Sequence, residues 1–370
     1  MKISEKLGMI YYLLPFVKII DNKFGLLFSI FIGKTKYEIK LHGNTINFNS
    51  SEIVFLINFL GLLRYSSSYE ITLEQKIIIT IDLKNSFTFS LGDLSYEDKK
   101  LIQTLFYGIK FGANFEINNS KRNVPIRDKT LTISEINNKK IIETSNGIKF
   151  YIDSINPGNT IGEAFVMDVH NTHSKDDYNE KIVVDVGAEC GDTPLYYASK
   201  GAIVYAFEPI KEHFDAMLRN LSLNPELSKK ITPINAAIGK DEELEFFHSK
   251  HDVISDSSSF VYNVHTDDAL VEKVQGYTLS TAMKKFDISH IDFLKTDCKG
   301  CEFYLRKEDL QKVNHVKIEY ESLAYTKHNL SQLTKILDDS NFEYIFYRIE
   351  PTRDNFSILE FGHLLGKKKS

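Results

Sequence analysis

The chain lacks tryptophan altogether, has only three cysteines and eight prolines in 370 residues, and shows no excess of positive charge. Three thiols cannot build a disulfide framework, and so low a count points to a reducing, cytoplasmic setting. A formal net charge of −5 removes the global positive field that would draw in nucleic acid. Long apolar runs are missing as well. The most apolar N-terminal stretch, Met9 to Ile20, is interrupted by Lys18 and followed by Asp21. A spanning helix needs about 20 apolar residues, so this stretch reads as an amphipathic or core helix, not a membrane anchor. The small-residue cleavage site of a secretory leader is also missing. What is present is ordinary globular composition, 42% hydrophobic and 26% charged, which excludes disorder, collagen and coiled coil for the whole. At about 150 residues per domain, the length suggests two domains.

The first third reads as α+β. Leu26 to Ile32, Tyr37 to Leu41 and Thr45 to Phe48 are short β-rich runs broken by Gly33 and the His42-Gly43-Asn44 turn. Ser51 and Glu52 open a helix through Leu63, Ile77 to Leu91 reads as a hairpin around Lys84-Asn85, and Tyr96 to Tyr107 has helical spacing. From Asn118 to Lys140 the chain turns polar, and the domain boundary is placed there, giving an accessory domain over 1–140 and a second domain over 141–370. Beyond the boundary, strands and helices alternate. Lys181 to Val186, Ile203 to Phe207, Ile231 to Ile238, Ile291 to Thr296 and His315 to Tyr320 read as strands, with helices over Thr193 to Lys200 and Lys211 to Asn224. Such alternation predicts a doubly wound parallel sheet with right-handed crossovers.

The chemistry gathers at three strand ends. Asp185-Val186-Gly187-Ala188-Glu189-Cys190-Gly191-Asp192 runs from a strand through a glycine-punctuated turn into a helix. Glycine there lets the backbone approach a ligand beyond the carboxyl edge of the sheet. Glu208 ends the next strand, 23 residues after Asp185, where a carboxylate can accept both hydroxyls of an adenosine ribose. A nicotinamide dinucleotide site uses the same device but wants G-x-G-x-x-G beneath its pyrophosphate. Here Gly187 and Gly191 are four apart, and Glu189 and Asp192 would repel phosphate. Both acids suit a cationic, phosphate-free cofactor such as S-adenosylmethionine. The third strand end, Lys295-Thr296-Asp297-Cys298-Lys299-Gly300-Cys301-Glu302, brings Asp297 and Glu302 to the same edge.

With these motifs in order, residues from about Asn146 to Lys369 resemble the FkbM-type S-adenosylmethionine-dependent methyltransferases. The resemblance rests on 185–193, on Ala206 to Pro209, on Asn220 and Asn224, on Asn235 to Gly239, on Thr278-Leu279 and on 295–302. Thr160 to Phe165 with Glu163 resembles the family's lead-in strand region, and nothing of the kind covers residues 1–140. The resemblance implies an α/β class I (Rossmann-like) fold, a seven-stranded sheet with its last strand antiparallel, preceded here by the smaller α+β domain. It implies that Asp185, Gly187, Ala188 and Gly191 surround the methionine end of S-adenosyl-L-methionine. Glu208 would take the ribose, Asn235 and Ala236 would lie near the adenine, and Asp297 would face cofactor and acceptor. Two positions depart from the family: Glu189 stands where Asn is usual, and Lys299 where Glu is usual.

Methyl transfer asks mainly that an acceptor atom be held in line with the methyl carbon, with a base helping when the acceptor is a hydroxyl. Asp297, Glu302 and Glu319 are the catalytic candidates. Glu321 and His248, His251 and His265 are further base candidates, and loop 248–268 is the expected recognition loop. Lys299, in the turn made by Gly300, is expected to point to solvent, because an ammonium inside the pocket would oppose a sulfonium. The Cys298-x-x-Cys301 pair and Cys190 are read as packing residues and no metal is expected. The expected acceptor is a small molecule or glycan. The alternatives are a nucleic-acid methyltransferase, disfavoured by charge and by the missing N/D-P-P-Y/F tetrapeptide, and a non-catalytic adenosine-binding module whose N-terminal domain holds a partner.

Overall fold

The computed structural model describes residues 10–72, 74–81, 85–91, 94–117, 129–170, 178–248, 270–323, 329–347 and 358–369. The chain divides into two compact units. One comprises Met1–Gly147, Tyr151–Asp153 and Pro157–Met167; the other comprises Ile148–Phe150, Ser154–Asn156 and Asp168–Ser370.

The C-terminal unit is built on seven strands: β1 (Ile182–Val186), β2 (Ile203–Phe207), β3 (Ile231–Ile234), β4 (Ile291–Thr296), β5 (Val313–Leu323), β6 (Phe342–Tyr347) and β7 (Ile358–Lys368). Their order is β3-β2-β1-β4-β5-β7-β6. β1, β2, β3, β4 and β5 pair in parallel, and β7 runs antiparallel to both of its neighbours, β5 and β6. This is the seven-stranded α/β sheet with its last strand antiparallel that the family resemblance implied. The parallel strands read as apolar runs because helices cover both faces of such a sheet. Helix α1 (Asp192–Ser199) follows β1, and α2 (Lys211–Ser222) follows β2. The buried residues of α2 are His213, Ala216, Met217, Asn220 and Leu221, one stripe at 3.6-residue spacing. The expected strand Ile231 to Ile238 breaks after Ile234; Ala237–Ile238 pairs instead with Leu270–Tyr277 in a small three-stranded sheet.

Register decides which charged residues meet. Asp185 lies opposite Lys295, and Lys295 opposite Lys317. One pleat further on, Glu319 lies opposite His363. In-register neighbours share a face, so these residues form two charged rows across the middle of the sheet.

In the N-terminal unit, the hairpin Lys36–Leu41/Asn44–Asn49, the helix Ile53–Tyr65 and the helix Tyr96–Phe111 follow the sequence reading. Three expectations do not. Leu26 to Ile32, expected as a strand, lies in the helix Lys23–Ile32, which ends on Gly33 at φ 76°. A continuous apolar run carries no period-2 signal, and the left-handed glycine supplies the helix stop. Thr160 to Phe165, expected near a strand, lies in the helix Pro157–Val166, of π type, burying Ile161, Ala164 and Phe165 on one side. The polar stretch expected as a boundary holds the strand Thr130–Ile136, paired antiparallel with Lys139–Glu143. Asn137 and Asn138 join them at φ 50° and 59°. Two consecutive asparagines with positive φ make a tight hairpin turn, so the Asn cluster marks a turn inside a sheet.

Candidate functional site

The turn after β1 is held from both sides. Gly187 and Ala188 donate their backbone N–H groups to the Phe207 carbonyl at the end of β2, at 3.0 and 3.1 Å. Asp297 donates its backbone N–H to the Val186 carbonyl at 2.9 Å. Gly187 has φ 80°, and a Cβ there would sit 1.9 Å from the Asp297 carbonyl oxygen. Only glycine fits between the β1 and β4 ends. Gly191, at φ 85°, then turns the chain into α1.

Asp185 is fully buried and accepts a hydrogen bond from the Thr193 hydroxyl. Lys295 Nζ lies 3.0 Å from Asp185 Oδ1 and donates to the Gly187 carbonyl at 2.9 Å. Burial alone would lower the Lys295 pKa, but the Asp185 and Asp297 carboxylates outweigh it and hold the ammonium well above its ordinary value. The pair therefore ties the first turn of α1, the glycine turn and β4 together.

Glu208 is 3% exposed. Its Oε2 accepts the Glu189 N–H at 2.8 Å and its Oε1 the Ile210 N–H at 2.9 Å, with His213 Nδ1 at 3.6 Å. Asn235 Nδ2 donates to the Glu208 and Pro209 carbonyls, both at 2.9 Å, which clamps the β2 end; Ala236 is buried beside it. On the other side of β1, the Lys299 ammonium lies 3.6 Å from Asp297 Oδ1 and 3.2 Å from Glu319 Oε1. Glu319 Oε2 lies 3.7 Å from His363 Nε2.

Residues 185–351 match the family model of the methyltransferase FkbM domain.

The chain is similar to several solved structures at low identity. The Methanococcus jannaschii fibrillarin pre-rRNA processing protein shares 10% identity over 81% of this chain and 97% of its own, with a TM-score of 0.36. The METTL16 methyltransferase domain shares 12% over 85% and 90%, at 0.35. A SAM-dependent methyltransferase from Agrobacterium tumefaciens shares 10% over 66% and 77%, at 0.34. No curated protein matches the chain.

The structure corrects one expectation outright. Lys299 does not point to solvent; its side chain is 11% exposed. At φ 52°, followed by Gly300 at φ 122°, the backbone turns the side chain back toward two carboxylates, and their charge compensates its desolvation. Glu302 is fully buried, and its Oε2 accepts the Gly300 N–H at 2.8 Å with Cys298 Sγ at 3.6 Å, so this carboxylate braces the loop from within. Cys298 and Cys301 are joined as a disulfide, beyond the packing role expected for them, and Cys190 is buried and free. The one grouping of metal-ligand atoms among the described residues is Cys298, Cys301 and Glu302, and its two sulfurs are bonded to each other. His251, His265 and most of the expected recognition loop lie outside the described residues, as do the side chains of His248 and Glu321.

Four buried residues carry no role in the sequence reading, which names Lys295 only as part of a motif: Lys295, Lys317, His170 and His363. The available signal was the pair of lysine-x-acid steps, Lys295-x-Asp297 and Lys317-x-Glu319, in strands otherwise apolar. Lys317 Nζ lies 2.7 Å from His170 Nδ1 and donates to the Val169 carbonyl at 3.1 Å. Burial, then the charges of Lys317 and Lys295, push the His170 pKa well below its ordinary value. With Nδ1 accepting from the ammonium, the neutral ring carries its proton on Nε2. An unfolded chain protonates this histidine below about pH 6.5 while the folded one does not, so stability falls as pH drops through that window. His170→Gln should flatten the fall between about pH 6.5 and 5; thermal midpoints across that range measure it, and an equal fall in both proteins would remove His170 as its source.

Proposed function

We propose that this chain transfers the methyl group of S-adenosylmethionine to a hydroxyl on a small molecule or glycan. One observation carries the reading most: three acidic groups stand at the carboxyl ends of β2, β4 and β5, around a glycine turn that tolerates no side chain. The donor set suits the cofactor. A carboxylate offers about four acceptor sites, and Glu208 commits two of them to backbone N–H groups, leaving two for ribose hydroxyls. Asp192 and Glu189 supply negative charge at the turn, which favours a cation over a pyrophosphate.

When bound, the cofactor supplies an electrophilic methyl group on a sulfonium. The residues of the chain orient and hold the proton-bearing partner. Asp297 is the more open carboxylate, its side chain 29% exposed against 10% for Glu319. Asp297 therefore accepts the hydrogen bond from the acceptor hydroxyl and aligns its oxygen. Glu319 stands behind, linked to Lys299 and His363, and fixes the ammonium that orients Asp297. Asp297 would also take the proton that the acceptor hydroxyl gives up.

Glu208→Ala leaves two ribose hydroxyls without their charged acceptor, a loss of about 1.5–3 kcal/mol. Affinity for S-adenosylhomocysteine should fall at least about tenfold by titration calorimetry, and unchanged affinity would remove Glu208 from the site. Acceptor class is read by transfer of labelled methyl into pooled hydroxylated small molecules, glycans and RNA. Nucleic acid belongs in that assay because a nucleic-acid methyltransferase is the rival reading of the same motifs. Label entering RNA alone would sink the small-molecule and glycan reading. Cofactor affinity without any transfer would favour the non-catalytic module.

A further inference from the structure

The helix Lys23–Ile32 has two apolar faces. Leu26 and Ile30 turn inward, 1% and 0% exposed. Phe24, Phe28, Phe31 and Ile32, at i, i+4, i+7 and i+8, are 79%, 62%, 54% and 47% exposed and form one outer stripe. A helix apolar all round is ordinarily enclosed, yet this one leaves three phenylalanines in water. The single hydroxyl on the helix, Ser29 Oγ, donates to the Gly25 carbonyl at 2.8 Å, so it is engaged within the helix itself.

Along the chain, the charge between Asp21 and Glu38 has one sign. From Asn22 to Tyr37 there is no acidic residue, while Lys23, Lys34 and Lys36 stand at both ends of the helix, a local +3 in a chain of net −5. Lys34 and Lys36 are exposed, and Lys23 Nζ sits 5.9 Å from the Phe24 ring centroid.

We propose that this stripe docks on an anionic lipid surface, with the helix lying in the plane of the interface. The four stripe side chains offer no hydrogen-bonding group, as insertion into a lipid boundary requires. The lysines at the helix ends complement acidic headgroups, and their long stems let the ammonium groups reach outward while the rings sink. Ten residues span only about 15 Å, half of a hydrocarbon core of about 30 Å, so the helix lies on the membrane and does not cross it. Consistently, no helix among the described residues is long and apolar enough to cross a membrane.

The test is flotation of the full chain with vesicles of phosphatidylcholine alone and with a third of the lipid replaced by phosphatidylglycerol. The chain should float with the anionic vesicles and release them as salt rises. Phe24→Ser/Phe28→Ser should cut binding at least tenfold with an unchanged thermal midpoint, since both rings already face solvent. Lys34→Gln/Lys36→Gln, at exposed positions with no packing to lose, should weaken anionic binding about fivefold per lysine. No flotation with anionic vesicles, or binding indifferent to both variants, overturns the proposal. So does a chain that ignores vesicles and forms a dimer that Phe24→Ser/Phe28→Ser dissolves, which would make the stripe a protein interface.

Discussion

Lys295→Met should cost the C-terminal unit about 3–5 kcal/mol, the penalty for leaving a buried charge without its partner. Lys295 is 3% exposed and Asp185 is fully buried, so water cannot reach in to replace the lost ammonium. The substitution also frees the Gly187 carbonyl, which accepts from Lys295 at 2.9 Å in the turn proposed to hold the cofactor. Cofactor affinity should therefore fall together with stability. Lys295→Met combined with Asp185→Asn should recover part of the loss, because the stranded charge goes with it. Denaturant midpoints for the two single variants and the double give the coupling. A single-variant loss below about 1 kcal/mol would show that the pair does not carry the turn.

Lys299→Glu should reduce methyl transfer at least about a hundredfold, although glutamate is the usual residue of the FkbM family at this position. The ammonium sits between Asp297 and Glu319, at 3.6 and 3.2 Å, with little exposure. A third carboxylate there would face two others, and like charges about 4 Å apart repel by about 4 kcal/mol at an effective dielectric near 20. The loop must then shift, and misplacement worth about 2.7 kcal/mol is a hundredfold in rate. Lys299→Gln, neutral and of similar length, should retain more activity than Lys299→Glu, whereas Asp297→Asn should abolish turnover. Labelled-methyl transfer, or slow cofactor hydrolysis while the acceptor is unidentified, ranks the three, with S-adenosylhomocysteine affinity as the control. Full activity in Lys299→Glu would mean that the lysine does not organise Asp297.

The disulfide between Cys298 and Cys301 lies inside the same loop, directly after Asp297, with the Glu302 carboxylate behind it. Three cysteines in a long chain exclude a framework of disulfides, but they do not exclude one bond between near neighbours. Composition speaks only to the first of these, because pairing at a separation of three depends on the turn that Lys299 and Gly300 make.

Where local chemistry is sufficient, the sequence by itself determined the outcome. The glycine turn after β1, the carboxylate ending β2 and the strand–helix alternation are short-range features, so a parallel α/β sheet and the placing of Asp185, Gly187, Glu208 and Asp297 at its strand ends were legible in order. The antiparallel last strand was implied only by the family resemblance. Unbroken apolar runs were not: Leu26 to Ile32 satisfies a strand and a helix equally, and Gly33 with the packing of Leu26 and Ile30 settled it. Tertiary structure alone decided the charged rows. Lys295, Lys317 and His363 are ordinary residues along the chain, and each acquires its meaning from strands far apart in sequence lying in register. The same holds for Lys299, whose direction follows from two carboxylates brought to it by β4 and β5. Pairing across a sheet is a long-range choice that no local propensity encodes, and burial there turns a solvated charge into a fixed partner.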